Sequence, residues 1–531
     1  MNNSLEHVEA CKFKISGGIL PSENKTLSNQ PESKQLPTSE ELTLALSNNH
    51  NIQGELLVQV GDKVSKGDLL VGTKENQFGN NIHSPCDGEV LEIKRLSLGH
   101  QSGFPIPALK LRTHASWNRE TEQNKNQIDW NNYSPEKIIQ QIHTAGIVGL
   151  GGAAFPTHIK INTSLSKVDT LIVNAMECEP YITCDDRLMR EKSNEILQGS
   201  LIAAKGVSAK KILIGIENNK PEAIKALSHS IQKILDDKQY KNLPEIKIIV
   251  TETRYPSGGE KQLIQLLTGM EVPQKQYPAE LGILVQNVAT LYAIYNAIVN
   301  SINLTERLVT ITGDCVPTPG NYWIPFGSSV EHIARSLDIK LDENTSITFG
   351  GPLMGVSISN LNTPTQKSTN CIIFDSNLNS VNNYSVEHSA CIRCGDCEKV
   401  CPVSLLPQQL YWFSQSEQWD TLQEQNLFDC IECGACSYVC PSEIPLVGYF
   451  RFGKSEIKHL NAKQLKSDKA KLRFENRENR LARIKAEREE KRRKTAEARK
   501  LAAKNKAEDP DGKQRAIQAA LERVKQKKEQ P

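Results

Sequence analysis

Two short segments contain eight of the fourteen cysteines of the chain. CIRCGDCEKVCP begins at Cys391 and CIECGACSYVCP begins at Cys430, and both have the spacing C-x2-C-x2-C-x3-C-P. Three thiolates at this spacing bind three irons of a cubane, while the cysteine before proline points away and ligates a second cluster. The repeat therefore predicts two [4Fe–4S] clusters with crossed ligation. The expected ligands are Cys391, Cys394, Cys397 and Cys440 for one cluster, and Cys430, Cys433, Cys436 and Cys401 for the other.

Other uses of these cysteines fit the spacing less well. A structural zinc site usually has two separated C-x2-C pairs, and a redox dithiol requires only one C-x-x-C. The other six cysteines, at positions 11, 86, 178, 184, 315 and 371, are scattered along the chain. We expect them to be ordinary thiols of a cytosolic protein, where thiols stay reduced.

A glycine-rich segment, GIVGLGGAAFPTHIK, runs from Gly146 to Lys160. A glycine loop that opens a helix directs backbone N–H groups at a phosphate, and Lys160 adds a positive charge one turn later. The segment lacks the dinucleotide-binding pattern G-x-G-x-x-G, and it follows a predicted helix instead of a strand. On its own it indicates an anion-binding turn.

Two further segments place polar residues at the ends of predicted strands. In LIVNAMECEP a strand ends at Asn174 and is followed by Glu177 and Glu179, whereas Glu260 of RYPSGGEKQL opens a helix after a Gly-Gly turn. In an open α/β sheet, residues at the carboxyl ends of strands lie at the ligand crevice. The pattern predicts that these segments meet at one site.

The elements that position these residues follow from the apolar patterning. Strand-like segments alternate with helical ones from residue 134 to 305, which predicts a mostly parallel sheet with helices on both faces. Short strands between Gly-Asp turns resemble a hammerhead or barrel-sandwich module in residues 1–113, and residues 306–365 suit a β-grasp (SLBB-type) module. The polar residues 114–133 are expected to be a linker, and 376–386 a loop. The predicted fold is multidomain, α/β plus α+β.

The net charge of +2 conceals an asymmetry between the body and the tail. From Lys466 onward there are 23 Lys+Arg and 12 Asp+Glu, whereas the rest of the chain has 41 and 50. The tail, 460–531, is expected to be a solvated helix or disordered, and contact with acidic lipid headgroups or an acidic partner is the alternative. Nucleic-acid binding is not favoured because no aromatic residues interrupt the densest basic stretch. We expect no secretory signal and no membrane-spanning segment.

Taken together, these segments resemble a known family. GGAAFPT, NAMECEP and YPSGGEKQL are similar to the flavin-bearing NADH-dehydrogenase subunit of respiratory complex I. With the barrel-sandwich module and the twin cysteine runs at 380–450, residues 10–450 resemble the RnfC (RsxC) subunits of Rnf ion-translocating electron transport complexes. The resemblance implies non-covalently bound FMN in a Rossmann-like α/β domain at 134–305, with NAD(H) as substrate, and a helical bis-[4Fe–4S] domain of ferredoxin type.

The resemblance also implies roles for individual residues. Met176 and Gly259 depart from the complex I pattern, which has acidic residues at both positions, so the nucleotide contacts there differ. The residues implied at the FMN phosphate and ring are Gly149, Gly151, Gly152 and Lys160, with Asn174, Met176 and Glu177 at the flavin. Those implied at the nicotinamide nucleotide are Phe155, Glu179 and Glu260, and Tyr255, Gly258 and Asn287 would close the flavin pocket.

The implied function is electron transfer between NAD(H), FMN and two [4Fe–4S] clusters, in an oxidoreductase component of an ion-translocating complex. Its expected partners are the membrane and peripheral subunits of that complex, with ferredoxin reached through one of them. Its expected location is the cytoplasmic side of the cell inner membrane. Two other functions remain open: a soluble flavin/iron–sulfur reductase resembling cobalamin reductase, and an electron-relay scaffold that does not bind NADH.

Overall fold

The computed structural model describes residues 7–47, 54–97, 105–114, 128–165, 167–237, 239–240, 242–376, 388–508 and 511–528. It divides into two compact units, Met1–Lys454 and Ser455–Pro531. The strands are β1 Val8–Ala10, β2 Lys34–Gln35, β3 Glu41–Ala45, β4 Glu55–Leu56, β5 Lys63–Val64, β6 Leu69–Gly72, β7 Ile82–His83, β8 Gly88–Leu96, β9 Ile106–Thr113, β10 Thr170–Ala175, β11 Lys211–Glu217, β12 Glu245–Thr251, β13 Ile283–Asn287, β14 Glu306–Thr312, β15 Gly320–Pro325, β16 Ser346–Phe349, β17 Val356–Ile358 and β18 Cys371–Asp375. The α-helices are α1 Pro135–Thr144, α2 Thr157–Asn162, α3 Cys184–Val207, α4 Pro221–Asp236, α5 Glu260–Thr268, α6 Val288–Val299, α7 Val330–Ser336, α8 Asp396–Lys399, α9 Pro407–Gln415, α10 Trp419–Glu424, α11 Ala435–Tyr438, α12 Leu446–Glu508 and α13 Gly512–Lys528.

A parallel five-stranded sheet in the order β1-β12-β11-β10-β13 forms the α/β domain. Leu171 and Val173 of β10 pack in the large core, whereas Ile172 between them packs with α5 in a separate core on the other face. Successive side chains of a strand point to opposite faces, so a central strand covered on both sides must be apolar throughout. The predicted parallel sheet is confirmed, and β1, contributed from the N-terminus, was missed.

Two small antiparallel sheets form the barrel-sandwich module, in the orders β3-β9-β8-β5 and β4-β6-β7. Leu42 and Leu44 of β3 are buried, as are Leu109 and Leu111 of β9 opposite them. Their alternation with polar residues directs one face of the sheet inward. The strands predicted in 54–93 are present, but the N-terminal segment does not stay in this module, because β1 and β2 join other sheets.

The β-grasp module contains a six-stranded sheet in the order β17-β16-β18-β14-β15-β2, with α7 packed against its core. Strand β18 lies beyond the predicted boundary at 365, and it is almost fully buried between β14 and β16. The boundary fails because a short buried strand after a polar loop has no signal of its own in the sequence. Strand β2 comes from residues that were assigned to the N-terminal module.

Short helices connected by tight turns make up the cysteine-rich module from residue 388 to the end of the first unit. Helices α8 and α11 are four residues each and begin in the middle of a cysteine run, at Asp396 and Ala435. Each follows a glycine with positive φ, Gly395 at +82° and Gly434 at +78°. A left-handed turn of this kind strongly favours glycine, which explains the glycine in each run.

The second unit is helical, formed by α12 from Ser455 onward and by α13. Its residues from 458 to 505 are exposed almost throughout, and ion pairs one helical turn apart, such as Arg483–Glu487, line its surface. Such exposed pairs stabilise a helix by only about 0.3–0.5 kcal/mol each. Of the two expectations for the tail, the solvated helix is the one that the structure shows.

Residues 115–127 of the predicted linker and 377–386 of the predicted loop lie outside the described residues. The end of the linker is packed, because Trp130 is buried against Tyr240 with 6.3 Å between the ring centroids. Ser134 caps α1 and Pro135 is its first residue. Within the described ranges, none of the helices combines the length and the apolar composition that crossing a membrane requires.

Candidate functional site

Asn174 ends β10 and joins two of the predicted segments. Its side-chain nitrogen donates to the carbonyl of Gly258 at 2.9 Å, and its oxygen accepts the N–H of Met176 at 3.1 Å. Met176 is buried, and its sulfur lies 3.6 Å from the hydroxyl of Thr251 at the end of β12. The carboxyl ends of β10 and β12 therefore meet at the turn before α5, as the strand-end pattern predicts.

Glu177 is linked to Asn287 through a chain of buried polar groups. Its carboxylate accepts the N–H groups of Asp185 at 2.7 Å and Asp186 at 3.4 Å, at the start of α3. The carboxylate of Asp185 accepts the side-chain N–H of Asn287 at 2.6 Å, and Asn287 also caps α6 through the N–H of Ala289. Burial is the main cause that raises the pKa of Glu177, to about 8, and it also raises the pKa of Asp185.

The glycine loop lies between α1 and α2 as a tight turn. The N–H of Gly149 donates to the carbonyl of Phe155 at 2.8 Å, and the N–H of Leu150 donates to the hydroxyl of Thr290 at 2.9 Å. Gly151 approaches Asn287 so closely that a Cβ would lie 3.3 Å from the asparagine Cβ. Gly152 has φ +122°, and a Cβ built there would have no neighbour within 4 Å. The loop is thus fixed at its base and open at its tip.

Lys160 of α2 and Glu260 at the start of α5 meet across this crevice. The lysine Nζ lies 2.6 Å from Oε1 of Glu260 and donates to the carbonyl of Val285 at 2.8 Å. The lysine side chain is 31% exposed and the glutamate 41%. A phosphate at the crevice would therefore find a partly exposed ammonium group within the same set of residues.

These residues fit FMN on grounds of chemistry and space. The tip of the glycine loop is open, the crevice contains the cation Lys160, and the amide of Asn174 and the buried acid Glu177 lie at the strand end. Backbone N–H groups and a lysine suit a phosphate, and amides suit a flavin ring edge. Asp185 and Thr290 also belong to this crevice, but the sequence did not indicate them. Each hydrogen-bonds to a crevice residue that is far away in the sequence, Asp185 to Asn287 and Thr290 to Leu150.

Two predicted site residues form the junction with the other modules. Oε1 of Glu179 accepts the N–H groups of Leu353 at 2.8 Å and Met354 at 2.9 Å, in the glycine turn of the β-grasp module. The ring of Tyr255 is buried, and its hydroxyl donates to the carbonyl of Cys433. Burial is the main cause that raises the pKa of both side chains. The structure therefore places Glu179 against the β-grasp module and Tyr255 against the cysteine-rich module.

The remaining predicted residues lie at the edges of the crevice. The N–H of Gly258 donates to the sulfur of Cys178 at 3.4 Å, and a Cβ on Gly258 would contact Met176. Phe155 is half-exposed beside the glycine loop, where its ring contacts Phe78 of the barrel-sandwich module. Cys178 was expected to be an ordinary thiol, and burial raises its pKa to about 12.

The eight clustered cysteines separate into two groups, each around its own cavity. One cavity is lined by Cys391, Cys394 and Cys397 of the first run together with Cys440 of the second. The other is lined by Cys430, Cys433 and Cys436 with Cys401 of the first run. Each cavity thus collects three cysteines from one run and the proline-linked cysteine from the other.

The donor set and its surroundings fit iron–sulfur clusters. Backbone N–H groups of Leu405 and Glu432 point at the sulfurs of Cys401, at 3.3 Å, and Cys430, at 3.4 Å. Burial raises the pKa of the Cys433 thiol to about 12, so a bound metal must replace its proton for the thiolate to form. Apolar side chains such as Leu410 and Phe450 line the second cavity.

Two basic residues that the sequence analysis did not single out support the second run. Lys454 donates to the carbonyl of Cys430 at 2.6 Å and pairs with Glu432 at 2.8 Å. Arg451 lies 2.9 Å from the same carboxylate. The two cations come from the first turns of α12, and they hold the Cys430 turn in place.

The cysteine-rich module makes close backbone approaches to the β-grasp module and to the N-terminal segment. A Cβ on Gly434 would lie 2.5 Å from the carbonyl of Leu353, and one on Gly17 would lie 2.6 Å from that of Cys401. The N–H of Gly18 donates to the carbonyl of Val400 at 2.9 Å. The quartet that contains Cys401 and Cys433 contacts the α/β domain through Tyr255, whereas Cys394 of the other quartet is exposed.

Three family descriptions match successive parts of the chain. Residues 13–112 match the RnfC barrel sandwich hybrid domain, and residues 142–296 match the Nuo51 FMN-binding domain. Residues 390–444 match the 4Fe-4S dicluster domain. The three matches correspond to the barrel-sandwich module, the α/β domain and the cysteine-rich module described above.

Curated relatives cover almost all of the chain. The C subunit of the ion-translocating oxidoreductase complex of Edwardsiella ictaluri is 42% identical over 521 residues, which are 97% of this chain and 62% of that protein. The protein of the same name from Haemophilus influenzae is 42% identical over 526 residues, 97% of this chain and 76% of that protein. The chain thus spans between three fifths and about three quarters of the length of these two relatives.

Among solved structures, an NAD+-reducing [NiFe]-hydrogenase in the H2-reduced state is similar with a TM-score of 0.45 and 20% identity, covering 60% of this chain and 61% of that one. The family of this chain is shown by the curated relatives and by the three domain matches. These agree with the geometry of the crevice and of the two cysteine quartets. The chain belongs to the family of the C subunits of ion-translocating oxidoreductase complexes.

Proposed function

We propose that this chain transfers electrons between NAD(H), a bound FMN and two [4Fe–4S] clusters, as the NAD(H)-facing component of an ion-translocating oxidoreductase complex. The observation that carries the proposal is the direct contact between the flavin-type crevice and one cysteine quartet. Tyr255 belongs to the turn that follows β12 beside Asn174, and its hydroxyl bonds to Cys433. One buried side chain thus connects the crevice with a cluster ligand.

FMN exchanges a hydride with NAD(H) on one side and single electrons with iron–sulfur clusters on the other. The chain has to bind and orient these groups and to exclude water from them. The open tip of the glycine loop and Lys160 would hold the phosphate, while Asn174, Met176 and Glu177 would lie along the ring. No described side chain is required as an acid or base for the hydride exchange itself, because a hydride carries its proton and electrons together. The proton that remains when the electrons pass singly to the clusters would be released to water.

The position of the two quartets supports an order for the electron path. The quartet of Cys401, Cys430, Cys433 and Cys436 contacts the α/β domain through Tyr255. The quartet of Cys391, Cys394, Cys397 and Cys440 has an exposed member, Cys394, and an exposed neighbour, Ile392. Electrons from the crevice would reach the first quartet and leave from the second, towards a partner.

The partners are proposed from the relatives. Those proteins are named as subunits of a complex that translocates ions, so this chain would exchange its electrons with other subunits of such a complex. We place the chain on the cytoplasmic face of the inner membrane, with membrane and peripheral subunits of the complex as its partners and ferredoxin reached through one of them. The basic second unit would add electrostatic attraction to acidic headgroups.

The test is an anaerobic absorbance spectrum of the purified protein before and after NADH. We expect bleaching of the flavin band together with a fall in the broad iron–sulfur band. Reduction by dithionite but not by NADH would contradict the proposal and make the chain an electron relay. A preparation without flavin, tested after addition of FMN, separates loss of the cofactor during purification from absence of a flavin site.

A further inference from the structure

The two cysteine runs and the helices that follow them repeat at an interval of 39 positions, but their charges differ. Helices α9 and α12 begin at equivalent positions, Pro407 and Leu446. The third residue of each run has a left-handed backbone, with φ +60° at Arg393 and +58° at Glu432. The two halves share these backbone features, so the side chains at equivalent positions can be compared directly.

At the second run, three charged side chains form a network beside a predicted cluster ligand. Lys454 donates to the carboxylate of Glu432 at 2.8 Å and to the carbonyl of Cys430 at 2.6 Å. Nε of Arg451 donates to the other carboxylate oxygen at 2.9 Å. The side chains of Lys454 and Arg451 are only 11% and 18% exposed. Because two cations share one carboxylate, the network carries a net positive charge next to Cys430.

At the first run the same three positions hold Arg393, Trp412 and Gln415, of which only the arginine is charged. Arg393 is exposed, and its guanidinium lies 5.2 Å from the centre of the Trp412 ring. The pair of Lys399 with Asp396, within this run, is also exposed, at 72% and 46%. Water screens exposed charges, so these act only weakly on the neighbouring site. The two sites therefore differ in their electrostatic surroundings although their cysteine spacing repeats.

Charge and burial determine how readily a [4Fe–4S] cluster accepts an electron. Four thiolates make the cluster anionic, and reduction adds one more negative charge. Burial away from water therefore lowers the reduction potential, whereas a nearby cation raises it. Cys433 and Cys436 of the quartet that contacts Tyr255 are buried, whereas Cys394 of the other quartet is exposed. Burial alone would make the cluster next to the flavin crevice the harder one to reduce.

We propose that Lys454, together with Arg451, raises the reduction potential of the flavin-proximal cluster, which is the cluster whose ligands include Cys430 and Cys433. The inference rests on the proposed function and deepens it, because it assigns the residues that keep the first acceptor of the electron path reducible in a buried place. The structural alternative is that Lys454 only holds the Cys430 turn through its hydrogen bond. An electrostatic role depends on the charge of the side chain, and a purely structural role does not.

The test is an anaerobic redox titration of the holoprotein with chemical mediators, followed by electron paramagnetic resonance of the reduced clusters. The signal of the flavin-proximal cluster is the one that remains in Cys440→Ser, since Cys440 lines the other cavity. For Lys454→Met we expect the ratio of reduced to oxidised flavin-proximal cluster at a given potential to fall about tenfold, which corresponds to about 59 mV for one electron. The ratio for the other cluster should stay the same.

Three further variants separate charge from structure. Lys454→Arg keeps the positive charge and should retain the wild-type ratio. Glu432→Gln removes the negative charge of the network and should raise the ratio, which is the opposite sign to Lys454→Met. Lys399→Met is the control, because it removes an exposed lysine beside a cysteine, and the ratio should change by less than about twofold.

Unchanged ratios in Lys454→Met and Glu432→Gln would overturn the inference. An equal fall in Lys454→Met and Lys454→Arg would also overturn it, because the hydrogen bonds of the lysine would then be responsible. If Lys454→Met does not retain its iron, Glu432→Gln decides, since a rise in the ratio supports the electrostatic role and no rise refutes it.

The titration requires no NADH, which separates this inference from the proposed function. If NADH fails to reduce the wild-type protein while the ratios shift as expected, the proposed electron path fails and the role of Lys454 stands. If NADH reduces the protein but the ratios do not shift, the electron path stands and the role of Lys454 is refuted. A wild-type protein that shows neither cluster signal after reduction with dithionite would overturn both.

Discussion

Tyr255 and Glu179 both form hydrogen bonds with partners that are distant in sequence. The resemblance assigned Tyr255 to the flavin pocket and Glu179 to the nucleotide, and both assignments remain untested predictions. In the structure, Tyr255 bonds to a carbonyl 178 positions away, and Glu179 accepts N–H groups 174 and 175 positions away. Local sequence determines which side chain stands at a strand end, but it holds no information on which module is packed against it.

Replacing Tyr255 by phenylalanine tests the junction with the smallest change. The carbonyl of Cys433 would lose its donor in a buried place, which typically costs about 1–3 kcal/mol. We expect a lower thermal midpoint and faster iron release to a chelator. Tyr277→Phe is the matched control, since Tyr277 is 74% exposed. Equal iron release in the two variants would show that the hydroxyl does not stabilise the Cys433 turn.

At the scale of elements, the two cysteine runs were the most predictable part of the chain. The glycine before each short helix follows from local geometry, because three ligands and a turn lie within seven residues. The crossed quartets follow from the ligation that is typical of this spacing when it occurs twice. The β-grasp boundary was harder, since β18 is a five-residue strand whose partners β14 and β16 come from other parts of the chain. Short strands depend on pairing, which the sequence pattern alone does not show.

Crossed ligation has a direct test in the iron content of cysteine variants. Cys440→Ser should lose about half of the bound iron. Adding Cys391→Ser should remove little more, because both cysteines line one cavity, whereas adding Cys430→Ser should remove most of the rest. Iron analysis and the electron paramagnetic resonance spectrum of the reduced protein give the answer. The reverse result for the two double variants would mean that each cluster uses a single run.

Lys367 joins three elements and makes their packing depend on pH. Its ammonium donates to the carbonyls of Asn81 and Gly146, at the end of α1, and burial lowers its pKa to about 7. An unfolded lysine has a pKa of about 10.4, so between these values the unfolded state binds more protons and the free energy of unfolding rises with pH. Below pH 7 both states are protonated, so this lysine no longer makes the free energy of unfolding change with pH.

Lys367→Met should remove that dependence. We expect the difference in unfolding free energy between the wild type and this variant to grow by about 2 kcal/mol from pH 7 to pH 9, in favour of the wild type. Thermal midpoints measured anaerobically at the two pH values provide the comparison. Lys225→Met on α4 is the control, because Lys225 is exposed. A difference that is the same at both pH values would contradict the lowered pKa.

On the scale of the whole molecule, the sequence indicated which modules are present better than it indicated their limits. The apolar alternation of 134–305 was sufficient for the parallel sheet, and the composition of the tail was sufficient for its exposure. The N-terminal segment was assigned to one module, yet β1 extends the α/β sheet and β2 extends the β-grasp sheet. Edge strands of two or three residues carry no periodic signal, so such sharing is visible only in the folded chain.

The basic second unit can be removed as a test of its role. Deletion of 466–531 takes away a net charge of +11, and the residues of this segment that the structure describes are exposed almost throughout, so flavin content, iron content and the thermal midpoint should stay the same. Binding to vesicles that contain anionic lipid should weaken, and the difference should vanish at high salt. Vesicles of neutral lipid are the control. Unchanged binding to anionic vesicles would show that this unit makes no electrostatic contribution to membrane binding.

The path of the N-terminal segment sets an order for biosynthesis. Val8 pairs with Ile248, and Gly18 bonds to Val400 beside a cluster cysteine. Residues at the beginning of the chain thus emerge from the ribosome long before their partners, and β1 must stay unpaired until β12 has been made. The segment can close over the Cys401 turn only after that turn exists. Closure of the N-terminal segment over the cysteine-rich module therefore follows synthesis of almost the whole first unit.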